Sequence, residues 1–185
     1  MTNYLRCRAC DFLAEEGALG DVCPACGLPR TVFEPYPKQI SERRRSLAGR
    51  HFHPIGVHLP QVLLLGCILL PIPGRFLPAP LGAELLVLAK WSVLLMPFAA
   101  LLAFITGLVD GRLRFKKLET PLLRSKMRVG AAFLALTVVI SVVYLVAGFG
   151  TASTWIIVAL GLVAGRCAFY LGRTGASMFN CILPG

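Results

Sequence analysis

The sequence predicts a small cysteine-rich metal-binding domain followed by an all-α transmembrane four-helix bundle. Three observations predict this: two Cys-x-x-Cys pairs near the start, a mean hydropathy of +0.72, and apolar segments behind the cysteines. With 56% hydrophobic residues, the 185-residue chain is too apolar for one soluble domain and has the composition of a membrane protein. The predicted parts are a metal domain at 1–37, a basic juxtamembrane linker at 38–56, a four-span domain at 57–178 and a tail at 179–185.

The two pairs, Cys7–Cys10 and Cys23–Cys26, are separated by twelve residues. Four thiolates carried by two tight turns can converge as a tetrahedral metal site. A domain of about 35 residues is too small for a sufficient apolar core, so the metal is expected to be required for folding. The spacing alone leaves zinc and iron open. The other three cysteines are scattered and are expected to be small packing residues; they are Cys67, Cys167 and Cys181.

Further features accompany the cysteines: a Cys-Pro-x-Cys-Gly motif at 23–27, a short loop between the pairs, and the aromatic residues Tyr4, Phe12 and Phe33. Over residues 4–35 this combination resembles the compact rubredoxin-like domain at the end of rubrerythrins. The resemblance implies a mononuclear iron centre bound by four cysteines, cycling one electron between ferric and ferrous, and it favours iron over zinc.

Asp11 stands where that family usually has glycine. The position often takes a left-handed backbone conformation, which aspartate tolerates better than most residues. Its carboxylate is expected to lower the reduction potential by adding negative charge near the metal.

Four apolar segments predict membrane spans, at about 57–73, 81–109, 122–148 and 153–172. The first is short against the roughly twenty residues that a span needs, and it contains three prolines. It is therefore expected either to include part of the preceding histidine-rich segment or to end early in a loop.

The charges predict the topology. Residues 110–128 hold seven Lys/Arg and two acidic residues, whereas the turn at 149–151 has no charge and the first connection has only Arg75 before Glu84. The positive-inside rule then places both termini in the cytoplasm, with antiparallel neighbouring spans. A net charge of +10 is compatible with nucleic-acid binding, but basic residues that flank apolar segments argue against it. The first residues contain no apolar core, so no signal peptide is expected.

All three histidines, His51, His53 and His58, lie where the first span starts. Ionisable residues there are often functional, and imidazole is a common haem ligand, so haem b bound by His53 or His58 is predicted. Hydrogen bonding to headgroups or backbone is the alternative. The two residues are five apart, about 140° around a helix, so one straight helix cannot supply both axial ligands. A single histidine ligand per protomer, or a haem shared by a homodimer, remains open.

Two motifs mark the apolar part: His53-Pro-x-x-Val-His58-x-Pro60, and Thr106-Gly-x-x-Asp110 at the end of the second span. From residue 53 to about 178 the chain is similar to a bacterial family of four-helix membrane proteins without an established function. The resemblance implies a multi-pass protein of the bacterial inner membrane. Its metal domain is then expected in the cytoplasm.

Three further charged residues are site candidates. Asp110 is expected either to orient an imidazole or to pair with Arg112 or Arg128. Arg166 either snorkels to the cytoplasmic face or, like Arg128, binds haem propionates or a quinone head group. The sequence shows no nucleophile–base pair, phosphate loop or acid pair, so any enzymatic activity is expected to be that of an oxidoreductase.

These features favour a membrane-bound carrier that passes single electrons between a soluble redox protein and a membrane cofactor, haem b or a quinone. The alternative is a zinc ribbon that acts as a docking module on a membrane scaffold or small transporter. A metal-ion or small-solute permease gated by His53, His58 and Asp110 ranks last, because four spans form a path only by oligomerising.

Overall fold

The computed structural model describes residues 4–36, 52–115 and 121–177. It divides into two compact units: a cysteine-rich unit that contains residues 4–36, and a helical unit between residues 52 and 174. Each unit is described by itself.

The cysteine-rich unit is built on a three-stranded antiparallel sheet with β1 in the centre, in the order β2-β1-β3. The strands are β1 (Tyr4–Cys7), β2 (Leu13–Glu15) and β3 (Phe33–Tyr36). Two single-turn 3₁₀ helices, Glu16–Ala18 and Arg30–Val32, lie between β2 and β3. Because Cys7 ends β1 opposite Phe33, the sheet fixes the first cysteine pair beside the start of β3.

The core of this unit is the cysteine cluster itself. Cys7, Cys10 and Cys23 are buried, and the partly buried hydrophobic residues against them are Ala9, Phe12, Cys26, Val32 and Phe33. So small an apolar core gives little stability without a metal. The unit therefore depends on what its thiolates bind.

In the described ranges 52–115 and 121–177 the helical unit has six helices, which form four apolar stretches. The helices are α1 (Phe52–Gly56), α2 (His58–Leu69), α3 (Pro71–Phe76), α4 (Leu81–Phe115), α5 (Pro121–Ala147) and α6 (Thr151–Ser177). Four stretches are long and apolar enough to cross a membrane: His53–Phe76, Leu81–Leu113, Pro121–Ala147 and Thr151–Ala176. The prediction of four apolar membrane-length helices is confirmed.

The first stretch includes part of the histidine-rich segment, which confirms the first of the two predicted alternatives. It starts at His53, inside the histidine-rich segment, and continues to Phe76, so it does not end early in a loop. Its prolines divide it into α1, α2 and α3 without ending it, because Pro60 and Pro71 stand in the first turns of α2 and α3. Backbone N–H groups in a first turn have no partner within the helix, so proline is tolerated there.

Neighbouring stretches run antiparallel. Ser141 on α5 donates a hydrogen bond of 2.8 Å to the carbonyl of Val93 on α4. Gly161 on α6 lies so close to α2 that an added Cβ would be 2.8 Å from Ile68 Cγ1. The core between the helices is formed by Leu64, Cys67, Val93, Met96, Ala100, Phe133, Ile140, Ile157 and Ala164.

This arrangement gives the unit two ends. At one end Arg75 donates hydrogen bonds to the carbonyl of Phe149 and, at 2.9 Å, to Thr151 Oγ1. At the other, α1 begins, α4 ends, α5 begins and α6 ends. We call the latter the basic end because most of the unit's described Lys and Arg residues lie there; they are Arg112, Arg124, Lys126, Arg128 and Arg173.

Candidate metal centre

The four cysteines predicted as ligands meet in one cluster. Their Sγ atoms all lie within 4.8 Å of one another, with Cys7–Cys26 at 3.7 Å and Cys10–Cys23 at 3.6 Å. Metal–sulfur bonds of about 2.3 Å in a tetrahedron place the sulfurs about 3.8 Å apart. The observed separations match that edge, so the four thiols fit a single tetrahedral metal ion. Within the described ranges this is the one such group of His, Cys, Asp or Glu side chains.

The two cysteine turns have the same backbone hydrogen bonds. In each turn, the N–H of the residue after the second cysteine donates a hydrogen bond of 2.8 Å to the carbonyl of the first cysteine. The N–H of the first cysteine donates a hydrogen bond to the carbonyl of the residue five positions later. The pairs are Asp11 to Cys7, Gly27 to Cys23, Cys7 to Phe12 at 2.9 Å and Cys23 to Leu28 at 2.7 Å. The turns are thus related by an approximate twofold repeat in which each holds its pair of sulfurs in the same way.

The repeat explains the conformation of Asp11. Asp11 has φ 53° and Gly27, its counterpart in the second turn, has φ 74°. Among the described residues Asp11 is the one non-glycine with positive φ, as expected for a position that usually carries glycine. A short polar side chain tolerates this region better than most others.

The carboxylate of Asp11 is not an isolated charge. Arg6 Nη1 lies 3.6 Å from Asp11 Oδ1, and Arg6 Nε donates 3.1 Å to Glu34 Oε1. The hydrogen bond from Arg6 to Glu34 and the nearby negative charges raise the pKa of the Arg6 guanidinium. Because Asp11 is exposed and faces this guanidinium, its effect on the metal is smaller than that of an unpaired carboxylate.

Backbone N–H groups are directed at the sulfurs in a pattern that follows the repeat. Cys10 accepts a hydrogen bond from the N–H of Phe12, and Cys26 accepts one from the N–H of Leu28. Such donors stabilise negative charge on a thiolate. The cluster therefore has built-in compensation for the charge that four thiolates bring together.

Two thiols differ sharply in acidity. Burial raises the pKa of Cys10 to about 12 against the hydrogen bond from Phe12. Burial also acts to raise the pKa of Cys23, but hydrogen bonds from the N–H groups of Cys26 and Ala25 outweigh it, so that this pKa is lowered to about 7. Of these two thiols Cys23 is the more readily ionised, whereas a metal has to displace the proton of Cys10.

The cluster approaches solvent on one side. Cys7, Cys10 and Cys23 are buried, whereas Cys26 is partly exposed. Leu28, two residues on, is also exposed. Cys26 is therefore the sulfur through which the centre is most accessible from outside.

In the helical unit the two membrane motifs meet. His53 Nδ1 lies 3.4 Å from Thr106 Oγ1, and an added Cβ on Gly107 would be 2.9 Å from His53 Cε1. Thr106 donates its hydroxyl proton to the carbonyls of Leu102 and Ala103, so Oγ1 can accept from His53 in the tautomer that carries its proton on Nδ1. Sequence analysis named both motifs but did not predict this contact.

The structure gives haem no support. His53 is packed on α4, whereas His58 is exposed, so their side chains lie in different surroundings, and His51 lies outside the described residues. The two do not fit as a pair of axial ligands within one protomer. The assignment of either histidine as a haem ligand stays a prediction.

Asp110 lies on α4, four residues after Thr106, and its role in orienting an imidazole stays a prediction. Asp110 interacts electrostatically with Lys126 on α5, a partner that sequence analysis missed although it lies in the same basic run. Arg128 and Arg166 are exposed. Their roles toward propionates or a quinone stay predictions.

No protein-family model, curated protein or solved structure matches this chain. The rubredoxin-like four-cysteine cluster and the four membrane-length helices are together compatible with a membrane metalloprotein. This is the class that fold and site define.

Proposed function

We propose that this protein is a membrane-anchored, rubredoxin-like electron carrier. Its four cysteines hold one iron, which supplies a one-electron ferric/ferrous couple when bound. The carrier exchanges electrons with a soluble redox protein and with a membrane cofactor. The observation that carries the proposal is the cluster itself, four thiols at tetrahedral spacing in a unit whose chain continues into membrane-length helices.

Three features support iron and a redox role over a purely structural ion. The residues around Cys7–Cys10 and Cys23–Cys26 resemble a rubredoxin-like domain. Repeated N–H···S hydrogen bonds compensate the additional negative charge of a reduced centre. The partly exposed Cys26 brings one sulfur close to a docked partner.

The membrane cofactor in this proposal is a haem b or a quinone. Since His53 is engaged with Thr106, the exposed His58 is better placed to meet a group outside its own protomer, such as a haem shared with a second copy. Arg128 and Arg166 remain candidates for propionates or a quinone head group. The basic end supports a cytoplasmic location for both termini in a bacterial inner membrane.

The deciding experiment is metal analysis and a visible spectrum of the full-length protein in detergent, air-oxidised and then dithionite-reduced. We expect one iron per chain and thiolate-to-iron bands that bleach on reduction and are absent from Cys10→Ser. A Soret band that shifts on reduction would add haem, and its loss in His58→Ala but not in Cys10→Ser would assign the ligand. A colourless protein with one zinc per chain would refute the electron-carrier proposal.

A second function rests on a specific observation. The core of the cysteine-rich unit is its ligands, so a redox-silent zinc would suffice to fold it. The unit would then be a docking module on a membrane scaffold or small transporter. The same metal analysis separates the two functions.

A further inference from the structure

We propose that the helical unit binds an anionic phospholipid, whose phosphodiester headgroup sits between α5 and α6 at the basic end and is held by arginine side chains. This inference does not depend on the metal centre, and it assigns to a lipid headgroup two arginines that the electron-carrier proposal keeps as candidates for propionates or a quinone. The side chains concerned are Arg128 on α5 and Arg166 and Arg173 on α6.

A hydrogen bond sets the register of the two helices. Ser125 Oγ and Tyr170 Oη are 2.7 Å apart, which joins the first turns of α5 to the last turns of α6. Because the helices run antiparallel, Arg128, three residues after Ser125, and Arg166, four residues before Tyr170, each lie about one turn deeper than this contact.

Helix geometry also places the arginines on one side. At about 100° per residue, Arg128 lies about 60° around α5 from Ser125, while Arg166 and Arg173 lie about 40° and 60° around α6 from Tyr170. All three rotations, measured from the contact residue about each helix axis along the chain, have the same sign. In an antiparallel pair of right-handed helices, equal signs place the three arginines on the same side of the helix pair, and this side faces away from the core.

None of these arginines has a partner within the described residues. All three are exposed, and none forms an ion pair or hydrogen bond with another described residue. The described helical unit contains two acidic residues: Glu84 at the opposite end, and Asp110, which interacts with Lys126. Among the described residues of the helical unit, the arginines therefore form a positive surface without an acidic partner on the outer face of the α5–α6 pair.

The depth of Arg166 favours a counter-charge. At 1.5 Å per residue, its Cα is about 22 Å along α6 from Thr151, against a hydrocarbon layer of about 30 Å. An exposed guanidinium at that depth extends toward the headgroup layer, where lipid phosphates are the available anions. Arg128 lies nearer the helix end, so the two guanidinium groups can approach one headgroup from different depths.

The chemistry of the surface selects the ligand. Guanidinium groups bind phosphate oxygens through paired N–H donors, and the hydroxyls of Ser125 and Tyr170 offer further hydrogen bonds beside them. Basic sites between transmembrane helices bind anionic headgroups in this way. A lipid with net negative charge is favoured over a zwitterionic one, whose ammonium group would face the same arginines.

Native mass spectrometry of the full-length protein in detergent tests this, with phosphatidylglycerol and phosphatidylcholine added separately at matched concentrations. We expect tighter binding of phosphatidylglycerol, weakened about tenfold in R128Q/R166Q and largely retained in R128K/R166K. Lys90→Gln is the matched control: it removes one exposed charge from α4 away from the basic end and should leave binding unchanged.

Other outcomes would overturn the proposal. Equal binding of the two lipids, or an R128Q/R166Q protein that binds phosphatidylglycerol like wild type, would show that the arginines select no headgroup. Displacement of the lipid by millimolar inorganic phosphate would assign the surface to a soluble anion. Helical circular dichroism of each variant in the same detergent separates lost binding from lost fold.

Discussion

Replacing Gly107 by alanine would put a methyl group into the contact between α4 and the ring of His53. The new Cβ would lie 2.9 Å from Cε1 of that ring, closer than real Cβ atoms come to a neighbour, and 3.2 Å from Nδ1, which is tighter than most real Cβ contacts. The ring has to move, and the hydrogen bond between His53 and Thr106 Oγ1 is lost with it. The effect on stability is therefore the difference between the cost of this crowding and lost hydrogen bond and the gain in helix propensity from alanine.

The loss outweighs the gain. The lost hydrogen bond costs about 1 kcal/mol and the crowded packing a further 1–3 kcal/mol. Alanine is about 1 kcal/mol better than glycine in a helix, which offsets part of this. We expect Gly107→Ala to lower the free energy of unfolding by about 2 kcal/mol, roughly 4–8 °C in the unfolding midpoint for a protein of this size.

A double-mutant cycle of Gly107→Ala with His53→Ala tests these changes. The unfolding midpoint of each variant is measured in the same detergent, with the helical circular dichroism signal as the probe of thermal unfolding. Once the ring is removed, Gly107→Ala should change sign and stabilise by about 1 kcal/mol, because helix propensity alone remains. Gly165→Ala on α6 is the control, since its added Cβ meets nothing within 4 Å. A Gly107→Ala effect that is the same with and without the ring would refute the reasoning.

Three further predictions concern both units. Cys23→Ser should abolish tight metal binding and also the cooperative unfolding of the cysteine-rich unit, because the cluster is the core of that unit. Val22→Ser changes an exposed neighbour and should have neither effect; metal analysis and near-UV circular dichroism measure both. Metal affinity should fall as the pH is lowered, because the metal displaces the proton of Cys10, and it should fall more steeply below about 7, where Cys23 also gains a proton; a competitive chelator titration with the same slope above and below pH 7 would contradict this. Because φ of Asp11 is positive, Asp11→Gly should keep the metal and stabilise the unit by up to about 1 kcal/mol, whereas Asp11→Val should destabilise it by about 1–2 kcal/mol. Equal free energies of chemical unfolding for the two variants would contradict this prediction.

The cysteine cluster was open to prediction because its determinants are local. Two Cys-x-x-Cys turns each fix their own pair of sulfurs, and the glycine-like position of Asp11 follows from comparing the turns. The number of apolar helices was predictable for a similar reason, since hydropathy over twenty residues depends little on neighbours.

What sequence analysis missed depends on register between distant segments. The contact of His53 with Thr106 requires α1 to lie on α4 at one particular height, and no periodicity encodes that height. The interaction of Asp110 with Lys126 likewise depends on how α4 and α5 pack. Sequence analysis left open whether the first stretch includes part of the histidine-rich segment or ends early in a loop; the first alternative is confirmed, because its prolines stand in first turns, where a helix tolerates them.

The two cysteine turns have the same backbone hydrogen bonds but differ in how far their second cysteine is exposed to solvent. Cys10 and Cys26 each accept a hydrogen bond from a backbone N–H two residues later, yet of the four cluster cysteines only Cys26 is partly exposed to solvent. A peroxide diffusing in from water meets that sulfur first, and a thiolate converted to its sulfinic acid no longer binds the metal as before. Damage to the centre therefore starts at the second turn, and because the cluster is the core of the unit, the weakened metal binding then destabilises the whole unit.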